Sequence, residues 1–173
     1  KHIEYAHYLS TIISYEQIVD EKKDLGPLLD TQEKINFFLK KFPDSEYALD
    51  LKFKAGLVTN QIAAKEMYIA RHYIKSEKWV PAINRLKNIV DNFNQTIFIE
   101  EALYRLVEIY YTLGLEDEAN KAAYILGFNY QSSEWYERSY SILNKDYKIA
   151  SKSKAGKDKS ENLITRTIKK ILN

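Results

Sequence analysis

Three histidines, His2, His7 and His72, are the side chains best suited to hold a metal or move a proton near neutral pH. His2 and His7 stand five residues apart, which misses the i, i+4 geometry of a helical pair such as H-E-x-x-H, and His72 is isolated. The chain has no cysteine, so thiol nucleophiles, disulfides and cysteine-ligated metals are excluded. The phosphate-cradling patterns G-x-x-x-x-G-K-[ST] and G-x-G-x-x-G are absent, as is the nucleophile pattern G-x-S-x-G. Acidic residues fall mostly on expected solvent faces. These patterns predict neither an enzyme nor a cofactor or metal site. The residue that stands out is Arg85, in Ala82-Ile-Asn-Arg85-Leu, at the edge of an apolar helical face. A planar guanidinium there can pair with a carboxylate of its own chain or anchor a partner's carboxylate bidentately.

The elements that position Arg85 repeat. Residues 73–93 recur in register as residues 110–130: Tyr73 falls on Tyr110, Ala82 on Ala119, Ile89 on Leu126 and Phe93 on Tyr130, each 37 positions on. Each copy is an apolar run at helical spacing, a break, and a second such run, with a small alanine where two helices must approach closely. A third half-copy starts at Phe42, 51 residues before Phe93, and the same offset carries Ser45 onto Thr96. Internal repeats of this size indicate a tetratricopeptide-like (TPR-like) stack, whose usual period is about 34 residues. The expectation is an all-α, right-handed solenoid of about seven helices.

Taken in order, Ile3 to Ile18 forms a helix with apolar Tyr5, Tyr8, Leu9, Ile12, Ile13 and Tyr15. A break at 21–27 ends in Gly26-Pro27, after which Thr31 is expected to cap a helix facing inward through Ile35, Phe38 and Leu39. Pro43 stops that helix, and Ser45 is expected to cap a rod from Glu46 to about Lys75, roughly 45 Å long at 1.5 Å per residue. Trp79-Val-Pro81 opens the next helix, and Thr96 is expected to cap the one after it, which Gly114 ends. A further helix is expected to stop at Gly127, and Glu134 to Leu143 covers the open end of the stack. The domain expectation is a repeat domain over 1–143, a basic linker over 144–160, and a short amphipathic helix over 161–173.

Composition bounds the rest. The chain has 173 residues, with 14 Tyr but only 5 Gly and 3 Pro, which favours long helices over many turns. No apolar run approaches the roughly 18 residues of a membrane-spanning helix. Nine Lys/Arg against three carboxylates give residues 144–173 a charge of +6, so the net +2 leaves about −4 for the rest. A modestly acidic body argues against nucleic acid as a partner. With no initiator Met or signal peptide ahead of Lys1, the sequence reads as a piece of a longer protein.

The residues filling the repeats resemble a known family. Phe-Pro-Asp-Ser-Glu-Tyr-Ala (42–48), Trp79 with Ala-Ile-Asn-Arg (82–85), Leu-Val-Glu-Ile-Tyr-Tyr-Thr-Leu-Gly-Leu (106–115), Glu-Asp-Glu-Ala-Asn-Lys-Ala-Ala (116–123) and Asn-Tyr-Gln-Ser-Ser-Glu-Trp-Tyr (129–136) are similar to the BamD family. Its members are TPR lipoproteins of the bacterial outer-membrane β-barrel assembly (BAM) machinery. The similarity covers about residues 1–143 and would correspond to the last three of five repeats, with the first two repeats and a lipidated Cys expected upstream. The resemblance implies a non-enzymatic scaffold at the periplasmic face of the outer membrane, held there by an N-terminal lipid anchor that this chain lacks. The implied partners are the last POTRA domain of BamA, other BAM lipoproteins and unfolded β-barrel substrates. The same resemblance puts Arg85 at the BamA contact, supported by Asn84 and Trp79. Arg85→Glu is then expected to weaken binding without changing melting. A generic TPR peptide-binding adaptor would share every repeat feature, and a helical-repeat enzyme would need an acidic or His cluster that the sequence lacks.

Overall fold

The computed structural model describes residues 2–18 and 25–144; the expected C-terminal helix and all but the first residue of the expected linker lie outside them. Among the described residues, seven helices follow one another: α1 (His2–Glu16), α2 (Gly26–Lys41), α3 (Ala48–Lys75), α4 (Trp79–Asn92), α5 (Ile99–Thr112), α6 (Glu116–Asn129) and α7 (Glu134–Leu143). No strand occurs among the described residues. Each helix packs on its chain neighbour from α1 to α6, and α7 lies across both α5 and α6. Sequential packing of this kind makes the chain a stack with nearest-neighbour interfaces. Among the described residues, no helix is long and apolar enough to cross a membrane.

The rod α3 explains the two repeat offsets. At an offset of 51, Ala48 falls on Ile99; at 37, Ile62 does. The offsets differ by 14 residues, the length of α4, α5 and α6 alike, and α3 has 28. It is two repeat helices joined without a turn. Its halves serve different cores. Leu51, Val58 and Ile62 bury against Leu28, Ile35 and Phe38 of α2. Met67 and Ala70 join Ala82, Leu86 and Ile89 of α4 and Ala102 and Leu106 of α5. Each large side chain so buried contributes about 1.5–3 kcal/mol. Ala82 and Ala119 are both fully buried in this second core. Ile69 and Tyr73, at helical spacing from the buried Ile62, are only half-buried, because α4 and α5 together turn the inward face towards Ala63, Met67 and Ala70.

Helix starts differ from expectation. Gly26-Pro27 opens α2 instead of breaking the chain, since a proline in the first turn lacks only an N–H that would be unpaired anyway. Thr31 therefore lies inside α2, buried, with its hydroxyl donating to the Pro27 carbonyl at 2.8 Å. Thr96 does not cap α5; it is buried and donates to Phe93 O at 2.7 Å. Tyr47 is the N-cap of α3, and Ser45 Oγ accepts only a 3.4 Å bond from Tyr47 N. Ser133, the third copy, does cap its helix, accepting from Trp135 N at 3.2 Å. All three nevertheless close the same loop: Ser45 N donates to Phe42 O, Thr96 N to Phe93 O and Ser133 N to Tyr130 O, at 3.2, 3.0 and 3.0 Å.

Two further expectations change. The helix α6 runs through Gly127 to Asn129. A Cβ on Gly127 would stand 2.6 Å from Cε2 of Tyr136, so this glycine lets α7 sit close on α6. In α1 the deepest residues are Thr11 and Ser14, while Tyr5, Leu9 and Ile13 are exposed. Thr11 satisfies its hydroxyl on His7 O at 2.9 Å, and Ser14 Oγ receives Lys34 Nζ at 2.6 Å. Small polar residues allow α2 close approach, which an apolar count along α1 does not register.

Candidate functional site

Arg85 lies on α4, and its guanidinium reaches back to Glu66 on α3. Nη1 donates to both carboxylate oxygens, at 3.1 and 3.2 Å. The Glu66 side chain is 6% exposed, whereas that of Arg85 is 42% exposed. Glu66 thus holds the guanidinium from within while the rest of it meets water. Burying a carboxylate without a partner is costly, so loss of Arg85 would destabilise the α3–α4 contact by about 1–3 kcal/mol. The expectation that Arg85→Glu leaves melting unchanged does not survive this contact, because the substitution sets a second carboxylate against Glu66.

A second pair of the same kind joins α3 to α5. Arg71 donates through Nε to Glu101 Oε1 at 3.0 Å and through Nη2 to Glu101 Oε2. Glu101 is also buried, and Arg105 Nε stands 3.6 Å from it while Arg105 Nη1 donates to Glu108 at 2.8 Å. The two inter-helix arginines differ in one respect. Arg71 spends its Nε–Nη2 edge, the side of the fork that matches a carboxylate, inside the chain. Arg85 spends only Nη1; among the described residues, no acceptor reaches its Nε or Nη2. Its bidentate edge is free.

The other two expected site residues do not converge on Arg85. Trp79 is the first residue of α4 and packs, half-buried, against the Met67–Leu86 core. Asn84 is exposed. At 100° per residue, Asn84 lies 100° and Trp79 about 120° around the helix from Arg85. No hydrogen bond or ring contact among the described residues joins the three. Of the histidines, His7 tilts against Phe37 and Phe42, with ring centroids at 5.3 and 5.7 Å, while His2 and His72 are exposed, His72 lying 6.1 Å from the ring of its neighbour Tyr73. No group of three His, Asp or Glu is placed to hold a metal among the described residues.

Sequence reasoning missed Glu66, Arg71 and Glu101. The signal was present: Glu66 follows Ile62 by four residues and precedes Ala70 by four, a carboxylate on an otherwise inward face. Two acids on core-facing positions need two cations, and Arg85 and Arg71 supply them from neighbouring helices, 19 and 30 residues away in sequence.

Comparison with known proteins agrees with the stack of helices. Residues 1–126 match the model of the YfiO family, described as outer membrane lipoproteins. The chain belongs to this family. It is 40% identical over 141 residues to the outer membrane protein assembly factor BamD of Rickettsia prowazekii, covering 82% of this chain and 56% of that protein. It is 38% identical over 141 residues to BamD of Caulobacter vibrioides, covering 82% and 46%. With BamD of Neisseria meningitidis serogroup A, identity is 28% over 102 residues, covering 59% and 38%. The chain spans about half the length of these first two curated relatives. Its fold is all-α and TPR-like, as the repeat spacing predicts.

Proposed function

We propose that this chain is a non-enzymatic scaffold of outer-membrane β-barrel assembly, and that Arg85 anchors its contact with the last POTRA domain of BamA. The reading places it at the periplasmic face of the outer membrane, among the other BAM lipoproteins and unfolded barrel substrates. Its support is twofold: the relatives are named as outer membrane protein assembly factors, and among the described residues no acceptor occupies the carboxylate-matching edge of Arg85. That second observation carries the reading. A half-exposed guanidinium already fixed on one side can donate to a partner carboxylate through Nε and Nη2 without first being ordered.

The test is a titration of the purified POTRA region of BamA against the chain, with melting followed on the same samples. Arg85→Lys keeps a cation for Glu66 but has no second edge to offer. Affinity is expected to fall about tenfold, equivalent to about 1.4 kcal/mol, with little change in melting. An affinity within twofold of the parent would remove Arg85 from the interface. Arg85→Glu suits the test less well, since repulsion from Glu66 lowers stability at the same time.

A further inference from the structure

We infer that Glu66 is a positioning residue for partner binding: it fixes the guanidinium of Arg85 so that the Nε–Nη2 edge is preset for one carboxylate of the partner. This rests on the reading of Arg85 as an interface anchor and assigns a second, buried residue to that anchor.

The geometry separates Glu66 from an ordinary structural acid. Glu66 is 5% exposed and sits in the middle of α3, so a partner protein has no access to it. Its only hydrogen-bond donor among the described residues is Arg85 Nη1, bound to both of its oxygens. The 3.1 and 3.2 Å separations exceed the roughly 2.7–2.9 Å of tight charge-assisted bonds. A single nitrogen shared between two oxygens orients the plane of the guanidinium and leaves most of its donors unused. Arg71 is the internal contrast: it is 52% exposed, yet its Nε and Nη2 both lie on Glu101. The surface guanidinium of the α3–α4 hairpin with a free fork is therefore the one that Glu66 holds by its other nitrogen.

Removing the Glu66 charge has two opposed effects on binding. Arg85 regains rotamers that must be frozen again on association, a loss of about threefold to tenfold for one long side chain. Its charge also becomes uncompensated, which strengthens attraction to an acidic partner, but salt screens this effect, the Debye length being about 3 Å at 1 M. The orienting contact, made on a carboxylate only 6% exposed, is screened much less. Measured at high salt, the two separate.

The experiment uses the full chain with Glu66→Gln, which preserves shape and one accepting oxygen, titrated with the POTRA region of BamA at about 0.15 M and about 1 M NaCl. Glu66→Gln is expected to weaken binding about threefold to tenfold at high salt. The double variant Glu66→Gln/Arg85→Lys should bind no more weakly than Arg85→Lys alone, because Glu66 acts only through the fork that lysine lacks. A merely structural Glu66 would lower melting and add its loss to that of Arg85→Lys. Unchanged or tighter binding of Glu66→Gln at 1 M salt overturns the inference, and so does an additive double variant. If Arg85→Lys itself binds like the parent, the anchor reading fails first. If Arg85→Lys is weak while Glu66→Gln matches the parent, only the role of Glu66 fails. Should Glu66→Gln melt too low to titrate, Glu66→Asp, one methylene short of the guanidinium, replaces it under the same criteria.

Discussion

Between Tyr73 and Ala82 the chain reverses with the same hydrogen bonds it uses between Tyr110 and Ala119. Lys78 N donates to Tyr73 O at 2.9 Å and Leu115 N to Tyr110 O at 2.8 Å. Glu77 N donates to Ile74 O and Gly114 N to Tyr111 O, both at 3.0 Å. This is the Schellman closure of a helix C-terminus, with its central residue in the left-handed region. In the second copy that residue is glycine, at φ +74°; in the first it is Glu77, at φ +54°. A glutamate there costs roughly 1–2 kcal/mol that a glycine does not. The first turn is thus imposed from outside itself. Buried Ala82 and half-buried Tyr73, both in the central core, hold α3 and α4 in the register that Ala119 and Tyr110 give α5 and α6. In this stack the interfaces between helices dictate the turns.

Breaking an interface should therefore matter more than changing a turn. Ala82→Leu adds three carbons to a fully buried contact and is expected to lower stability by roughly 1–3 kcal/mol. Ala119→Leu should behave likewise, since both alanines belong to one core. Thermal melts of the two variants check this. A parent-like melt for either would mean that the offset of 37 aligns residues without aligning their packing.

The turns themselves give a crossed pair. Gly114→Ala forces a Cβ into the left-handed region and should cost about 1 kcal/mol, although no neighbour stands within 4 Å of that Cβ. Glu77→Gly relieves the same strain but frees the unfolded chain, so the net gain is smaller, about 0.5–1 kcal/mol. Opposite signs in urea unfolding sharpen the comparison. Equal losses at both sites would show that Glu77 is held by a contact the turn geometry does not reveal.

The reach of the sequence follows the same division. The fold is legible because periodicity and the recurrence of Tyr73, Ala82 and Phe93 report burial, which decides helix packing. The helix starts are not, because Ser45, Thr96 and Ser133 occupy one loop position and yet make three different side-chain bonds. Which bond the hydroxyl at this loop position makes is decided by local geometry within tenths of an ångström. The partner of Arg85 was legible only as a choice between a carboxylate of its own chain and a foreign one. Glu66 supplies the first, and the free fork leaves room for the second.

The smallest effect concerns a pair that recurs at the offset of 51. Asp50 and Lys54 fall on Glu101 and Arg105, and in both copies the acid meets the cation one turn later. In the first copy Lys54 Nζ donates to Asp50 Oδ1 at 2.8 Å and Tyr8 Oη to Oδ2 at 2.9 Å. The bond from Lys54 holds the Asp50 carboxyl below its ordinary pKa, against a smaller upward push from burial, and the Tyr8 bond adds to the lowering. Lys54 is raised above its ordinary value, chiefly by the same bond. A lowered carboxyl contributes stability that is present above its unfolded pKa, near 4, and is lost as pH falls through the folded one. A raised lysine contributes below its unfolded pKa, near 10.4, and loses that contribution as pH climbs through the folded value. The pair should therefore help across the neutral range and fade at both extremes. Asp50 is 38% exposed, so screening keeps its contribution small. Asp50→Asn is expected to flatten the acid limb of the stability–pH curve below about pH 4, leaving neutral stability slightly lower. Urea unfolding at a series of pH values, in low and high salt, measures this. An acid limb as steep in Asp50→Asn as in the parent would assign acid sensitivity to other carboxylates, such as those at the second copy of the pair.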